Sequence, residues 1–211
     1  MTHLPIFVDL VGRICAVVGG GRVAEGRVRT LLGHGATVRL ISPEVCAGLE
    51  EMLGESQIEF RQRTYEVADI EGCLMVIAAT DRRDVNAAIA RDAVEAGVLC
   101  NVVDRPEDGD VVVPAQVRRG RLAIALTTGG ASPAVASVIR GRLEDLFGPE
   151  WEILLDMLAE RRDSLIAAYP DTTDRSRVVR EFLDGEAVEQ LARDERALVE
   201  AALDALLRGD R

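Results

Sequence analysis

The chain has 211 residues, enough for one domain or two small ones, and 48% of them are apolar, which is enough to form a core. Its formal net charge of −11 argues against nucleic acid as a partner, because contacts with phosphates need a basic face. All 25 basic residues are arginines. The lack of lysine excludes Schiff-base chemistry and a P-loop lysine.

The sequence favours a cytoplasmic protein without a membrane partner. No apolar run approaches the roughly 20 residues that span a bilayer, and the first residues do not resemble a signal peptide. The cysteines stand far apart without a CxxC pair, which predicts reduced, structural thiols: Cys15, Cys46, Cys73 and Cys100. With only two histidines besides, we expect no metal site.

The first half of the chain alternates between strand and helix patterns. Strands are predicted at residues 14–18, 37–41, 74–79 and 98–103, and another begins at 58–60. Helices are predicted between them: one that ends at Gly33 to Gly35, a short one at 46–53, and one at 84–96 that ends at Gly97. This alternation predicts a Rossmann-type parallel α/β sheet.

The pattern changes after Asp110. Residues 111–114 and 122–127 are predicted to be strands joined by a basic turn at 118–121. Ser132 and Pro133 then provide the N-cap and first turn of a helix at 134–147. Helical spacing follows from 151 to 207, with breaks near 169–171 and 184–185. We therefore expect a Rossmann-type domain at 1–113, a small α+β region at 114–148 and a helical C-terminal region at 149–211.

Residues 14–24 carry the clearest motif. An apolar strand ends in Gly19, Gly20 and Gly21, and a helix begins at once with Arg22, Val23 and Ala24. The spacing Gly19-x-Gly21-x-x-Ala24 fits the dinucleotide fingerprint, in which the glycines allow a tight turn and close approach to a pyrophosphate. The helix N-terminus offers free N–H groups to the phosphates. The motif predicts a nucleotide site.

Further candidates lie at the carboxyl ends of the predicted strands, where parallel sheets bind ligands. Glu44 stands near the expected position of a ribose-binding carboxylate, although Ser42 occupies the strand end itself, and a solvated loop carboxylate explains Glu44 equally well. Arg22 and Arg39 leave NADP open as well as NAD. Thr80 and Asp81 follow the fourth strand and should face the same crevice.

Asp104 ends an apolar run at the carboxyl end of the fifth strand. A carboxylate there can accept a proton or stabilise a cation, although a turn cap is the simpler explanation. The stretch from Thr128 to Gly130 is either an anion-binding nest or a plain turn. A local excess of arginines surrounds it, which is either solvated surface or a site for a polycarboxylate: Arg118, Arg119, Arg121, Arg140 and Arg142.

Five motifs in this order resemble the precorrin-2 dehydrogenase family, the N-terminal part of siroheme synthase and its stand-alone relatives. They are His3-Leu4-Pro5-Ile6-Phe7, residues 18–24, residues 78–81, residues 100–104 and residues 128–133. The resemblance covers residues 1 to about 150. It implies NAD-dependent oxidation of precorrin-2 to sirohydrochlorin by a homodimer. It also implies that residues 1–113 form the dinucleotide-binding domain, that residues 114–148 form the dimerisation region, and that the tetrapyrrole lies between the two.

The resemblance also implies roles for single residues. Asp104 matches the family's catalytic aspartate. The cofactor NAD would be held by Gly19, Gly20, Gly21, Arg22, Val23, Ser42, Pro43, Glu44, Ala79 and Thr80. Substrate contacts are expected from Asn101, Arg118, Arg119, Thr128, Gly129, Gly130 and Ser132, although Ser132 also fits a helix cap.

Two other functions stay open at this point. Some members of the family also insert ferrous iron into sirohydrochlorin, and the fold alone is compatible with a non-catalytic nucleotide- or tetrapyrrole-binding module. Some members carry a phosphorylated serine where this chain has Thr128, so regulation there is not expected. Methylation is not predicted either, because the methyltransferase half of the larger enzymes is not part of this sequence.

Overall fold

A computed structural model describes residues 3–208. Its contacts divide the chain into two units, one up to Val113 and one from Pro114 onward. The outer limits of the expected domains, residues 1 and 211, lie outside the described range. The division of the second unit at 148 stays a prediction.

The first unit is a five-stranded sheet in the order β3-β2-β1-β4-β5, with every neighbouring pair parallel. The predicted Rossmann-type sheet is therefore confirmed. Its elements are β1 (Ile14–Val18), α1 (Arg22–Leu32), β2 (Thr37–Ile41), α2 (Ala47–Glu50), β3 (Ile58–Arg61), β4 (Met75–Ala78), α3 (Arg83–Ala96) and β5 (Leu99–Val102), with short 3-10 helices at Val67–Ile70 and Pro106–Asp108.

The sheet is buried on both faces, which explains its continuous apolar strands. Ala16 and Val18 of β1 belong to the core that α3 covers, whereas Cys15 and Val17 belong to the core that α1 covers. Gly97, in the left-handed region at φ 67°, ends α3.

The strand register brings four strand ends to one edge. Val18 pairs with Ile41 on one side and with Ala78 on the other, and Ala78 pairs with Val102. Because the strands are parallel, the segments that follow these four residues all leave the sheet at the same edge.

A charged cluster supports the segment after β3. The Asp69 carboxylate is fully buried and accepts from Arg61 at 2.6 Å and from Arg63 at 2.7 Å. Burial acts to raise the pKa of Asp69, but hydrogen bonds from Arg63, the Glu66 N–H and Arg61 outweigh it and hold the pKa below its ordinary value. Arg39 of β2 donates to the Asp69 carbonyl at 2.8 Å, so strand and segment are tied together.

The second unit begins with an antiparallel hairpin of β6 (Ala115–Arg119) and β7 (Leu122–Leu126). The prediction of a strand at 111–114 was wrong. The Val111 N–H donates to the Cys100 carbonyl at 3.1 Å and its carbonyl accepts from Asn101, so this stretch is tied to β5 instead. Arg118 and Arg119 lie in the strand, because Gly120, at φ 54°, makes the turn with a single residue after it.

Helices make up the rest of the second unit. They are α4 (Pro133–Leu146), α5 (Glu150–Glu160), α6 (Arg162–Ala168), α7 (Thr172–Leu183), α8 (Ala187–Ala192) and α9 (Arg196–Arg208). The expected breaks near 169–171 and 184–185 are present, and two more occur at Arg161 and at residues 193–195, where Asp194 has φ 63°. No helix within the described range is long and apolar enough to cross a membrane.

We expect Asp69→Asn to lower the free energy of unfolding of the first unit at neutral pH. In the variant, this free energy should also depend less on pH in the acidic range. Because the folded-state pKa of Asp69 is depressed, its stabilisation is present above the unfolded value of about 4 and is lost as the pH falls through the folded value. Breaking such a buried pair costs about 3 kcal/mol. Denaturant melts between neutral and acidic pH measure the effect.

The control is Asp84→Asn, which removes an exposed carboxylate paired with Arg82. We expect little change there, because solvent screens exposed pairs. Equal losses in the two variants would contradict the structural role of the buried cluster.

Candidate functional site

A cavity of about 1000 Å³ lies at the carboxyl ends of β1, β2 and β4. It contains every residue that the sequence assigned to the cofactor: Gly19, Gly20, Gly21, Arg22, Val23, Ser42, Pro43, Glu44, Ala79 and Thr80. Asp81 also lines it, as do Arg63, Thr64 and Tyr65 after β3, which sequence reasoning missed.

Two of the glycines are required by the protein's own backbone. A Cβ on Gly19 would overlap the Ala79 carbonyl, and Gly19 also has φ 128°. A Cβ on Gly20 would overlap the Glu44 carbonyl. The loop is fastened in this position, since the Gly19 N–H donates to the Ile41 carbonyl at 2.9 Å and the Gly20 carbonyl accepts from the Cys46 N–H at 2.7 Å.

Gly21 differs from the other two. It is the N-cap of α1 with an ordinary φ of −87°, and a Cβ built there meets no protein atom within 4 Å. No side chain caps the helix, so the N–H groups of its first turn stay available at the cavity. An uncapped helix start beside an open cradle fits a dinucleotide pyrophosphate, which is an anion that binds helix N-termini.

The wall formed by β2 and β3 is built from fixed polar groups. The buried Ser42 hydroxyl donates to the Glu44 carbonyl at 2.6 Å and so shapes the turn. Tyr65 donates to Asp92 at 3.0 Å. Burial, followed by this hydrogen bond, raises the pKa of Tyr65, which keeps the phenol protonated. Arg39 does not line the cavity, because it is bound to Glu59 and to the carbonyls of the charged cluster.

Asp104 lies outside the cavity lining but is connected to it by one amide. The Nδ2 of Asn86 donates to Asp104 Oδ1 at 2.9 Å and to the Thr80 carbonyl at 3.1 Å. Asn86 is 2% exposed, and sequence reasoning missed it. The sequence did contain a signal for it. Asn86 is a polar residue at helical spacing with the apolar Ile89, Ala90 and Ala93, which share the buried face of α3.

Asn101 is buried in β5, where its Nδ2 donates to the Val111 carbonyl at 2.9 Å. Its Oδ1 is a buried acceptor without a hydrogen-bond partner in the described part of the chain. A buried acceptor without a partner is uncommon in proteins, so Asn101 is a candidate for contact with a bound molecule.

The remaining predicted residues lie in the second unit. Gly129 and Gly130 have φ of 65° and 82°, and Thr128 bonds the Ser132 backbone through its hydroxyl at 3.2 Å. The Ser132 hydroxyl accepts from the Val135 N–H, which confirms it as a helix cap. Arg119 donates to the Glu144 carbonyl at 3.2 Å.

Two of the buried cysteines are kept in the thiol form by their surroundings. Burial raises the pKa of Cys15 and of Cys100 to about 11, so both are protonated. Among residues 3–208, no group of three or more His, Cys, Asp and Glu side chains is arranged to hold a metal ion.

The sheet order and the glycine loop define a dinucleotide-binding protein of the Rossmann class. The chain belongs to the family described as putative NAD(P)-binding, whose model matches residues 6–115. A second model, described as sirohaem biosynthesis protein central, matches residues 119–146. The expected NAD-type cofactor is thus confirmed.

Curated relatives match along nearly the whole chain. Siroheme synthases are 35% identical in Azotobacter vinelandii, over 99% of this chain, and 38% identical in Methylococcus capsulatus, over 100% of it. The chain spans only 45% of each of these relatives. The solved structure of SirC, precorrin-2 dehydrogenase, has a TM-score of 0.74 and 25% identity, and the match covers 94% of this chain and 100% of SirC. The resemblance inferred from the motifs is confirmed.

We expect Gly21→Ala to weaken NAD binding about tenfold or more without destabilising the fold, because losing one hydrogen bond to a charged phosphate costs about 1.5 kcal/mol, which is about tenfold in affinity. The new methyl meets no protein atom and occupies the phosphate cradle. Calorimetric titration of the protein with NAD measures the dissociation constant.

Gly26→Ala is the matched control, because it adds the same methyl to an exposed position of the same helix with no atom within 4 Å. It should leave NAD binding unchanged and stabilise the protein by about 0.5–1 kcal/mol. Unchanged NAD affinity in Gly21→Ala would contradict the placement of the pyrophosphate.

Proposed function

We propose that this protein is an NAD-dependent precorrin-2 dehydrogenase that produces sirohydrochlorin. The observation that carries the proposal is the match to a precorrin-2 dehydrogenase over 100% of that protein's length. The cavity supports it, because the glycine loop and the carboxylate expected of such an enzyme lie at one edge of the sheet.

The reaction removes a hydride and a proton from precorrin-2. NAD supplies the hydride acceptor. Asp104 is the proposed catalytic residue: Asn86 holds its Oδ1, and Oδ2 has no partner among the described residues. Oδ2 is therefore available to accept the proton or to stabilise a cationic macrocycle.

NAD is the proposed cofactor, in preference to NADP. The cavity wall after β2 carries the Glu44 carboxylate, which would repel a 2′-phosphate. Arg63, which follows β3 on the same wall, is already bound by the buried Asp69 at 2.7 Å.

The first proposed substrate contact is Asn101, whose Oδ1 lacks a partner in the described part of the chain. The others belong to the second unit: Arg118, Arg119, Thr128, Gly129, Gly130 and Ser132. The loop at 128–132 adopts an αL-rich turn of the kind that presents backbone N–H groups to anions. The arginines of β6 would suit the carboxylates of a tetrapyrrole.

Iron insertion is a second candidate function, favoured by the relatives that are named siroheme synthase. Its test is the rate of metallation of sirohydrochlorin by ferrous iron, with the uncatalysed rate subtracted. A rate no higher than the uncatalysed one would exclude it and leave the dehydrogenase proposal intact.

A homodimer and a cytoplasmic location complete the proposal. Helix α4 has no buried residue, and one face carries Val135, Val138 and Leu146, each at least half exposed. An apolar helix face of this kind favours an interface with a second copy. The four cysteines are free thiols, as is usual in a reducing compartment.

The dehydrogenase assay uses precorrin-2 and NAD under anaerobic conditions, with NADH and sirohydrochlorin measured together. We expect Asp104→Asn to lower kcat about 100-fold or more while NAD affinity is retained. Asp108→Asn, which removes an exposed carboxylate on the same loop, is the control and should keep wild-type kcat.

Tight binding of both ligands by the wild-type protein without turnover would instead support the non-catalytic module.

We expect Val138→Glu to convert the dimer into a monomer, because a charge on the apolar face of α4 would be buried at the interface. Light scattering after size exclusion measures the mass. Leu198→Glu is the matched control on α9, since Leu198 is 56% exposed and Val138 is 57% exposed. A monomeric wild-type protein, or a dimer that survives Val138→Glu, would contradict this interface.

A further inference from the structure

The Asn86 side chain occupies an unusual place for an amide. It projects from the first turn of α3 on the face that also carries Ile89, Ala90 and Ala93, and it is 2% exposed. A buried amide is unfavourable unless all its polar atoms are bonded. Both of its polar atoms are bonded, and every partner belongs to Thr80 or Asp104.

The hydrogen bonds fix which way the amide faces. Oδ1 accepts from the Thr80 N–H at 3.3 Å and from the Thr80 hydroxyl at 2.6 Å. Nδ2 donates to the Thr80 carbonyl at 3.1 Å and to Asp104 Oδ1 at 2.9 Å. A flipped amide would set donor against donor and acceptor against acceptor, so the backbone of Thr80 permits this orientation alone.

Thr80 and Asp104 belong to different parts of the site. Thr80 lines the dinucleotide cavity after β4, whereas Asp104 lies outside that lining after β5. The two strands are neighbours, with Ala78 opposite Val102, which brings the two segments close enough for one amide to reach both.

From this geometry we infer that Asn86 is a positioning residue of the dehydrogenase site, which orients the Asp104 carboxylate relative to the cofactor wall at Thr80. The inference rests on the proposed function. The amide uses Oδ1 of Asp104 and leaves Oδ2 for the substrate. This hydrogen bond also gives the Asp104 carboxylate a defined orientation, although Asp104 is exposed to solvent.

The diagnostic variant is Asn86→Asp, which keeps the shape and both acceptor contacts to Thr80 but sets a carboxylate oxygen against Asp104 and against the Thr80 carbonyl. We expect kcat to fall about 100-fold, as for a misoriented catalytic group, with KM for precorrin-2 and the NAD dissociation constant little changed. Asn86→Leu removes the Thr80 contacts as well and should also weaken NAD binding. Ile89→Ala, on the same buried face, controls for destabilisation and should keep wild-type kcat in its folded fraction.

A second measurement does not depend on activity. Asn86→Asp combined with Asp104→Asn exchanges donor and acceptor and restores the hydrogen bond between positions 86 and 104, although not the one to the Thr80 carbonyl. We expect the melting temperature of this double variant to exceed that of Asn86→Asp, while turnover stays lost because residue 104 is no longer a carboxylate.

The possible outcomes separate the two proposals. A wild-type protein without turnover overturns the dehydrogenase proposal and this inference with it. An active wild-type protein whose Asn86→Asp variant keeps kcat, or loses no more than Ile89→Ala does, overturns the positioning role alone. The same holds if the double variant shows no recovery of stability, because the bond between positions 86 and 104 would then be absent.

Discussion

The close packing of the glycine loop against two neighbouring backbones is the constraint on which the rest of the site depends. Gly19 lies against the Ala79 carbonyl and Gly20 against the Glu44 carbonyl, in each case too close for a Cβ. The strand register makes this contact unavoidable, since Val18 is level with both Ile41 and Ala78. These contacts therefore hold the glycine loop in one position, in which the N-terminus of α1 lies at the cavity.

Polar groups that are buried but fully bonded shape the two sides of that cavity. On one side, Asp69 binds Arg61 and Arg63, and Arg39 ties the same segment to β2. On the other side, Asn86 joins Thr80 to Asp104. Buried polar groups of this kind specify a single arrangement because every alternative leaves an unpaired group. In both places one side chain, that of Arg39 or of Asn86, joins two chain segments by hydrogen bonds.

Much of the fold was predictable because local and tertiary preferences agree. Strands such as Ile14–Val18 and Thr37–Ile41 are rich in β-branched residues and have a glycine or proline within two residues of each end, and their bounds match the expected ones. The hairpin was misplaced because Val111 to Val113 is as apolar as a strand. Its hydrogen bonds go to Cys100 and Asn101, partners that local sequence does not reveal.

The cofactor side of the site could be found from sequence because its residues follow strand ends in a recognisable motif. Asn86 and the segment from Arg63 to Tyr65 could not, since they reach the site only through packing. Tyr65 is held by Asp92, which is 27 residues away, and Asn86 by Asp104, which is 18 residues away. Such pairs become visible only when the sheet brings the segments together.

The decisive measurement is a crystal structure of the protein with NAD bound. We expect the pyrophosphate beside Gly21 and the first N–H groups of α1, with the adenosine along Ser42 to Glu44 and the nicotinamide on the side of Thr80 and Asp104. A dinucleotide bound away from Gly21, or with its nicotinamide turned toward Arg63 and Tyr65, would contradict this placement of the cofactor.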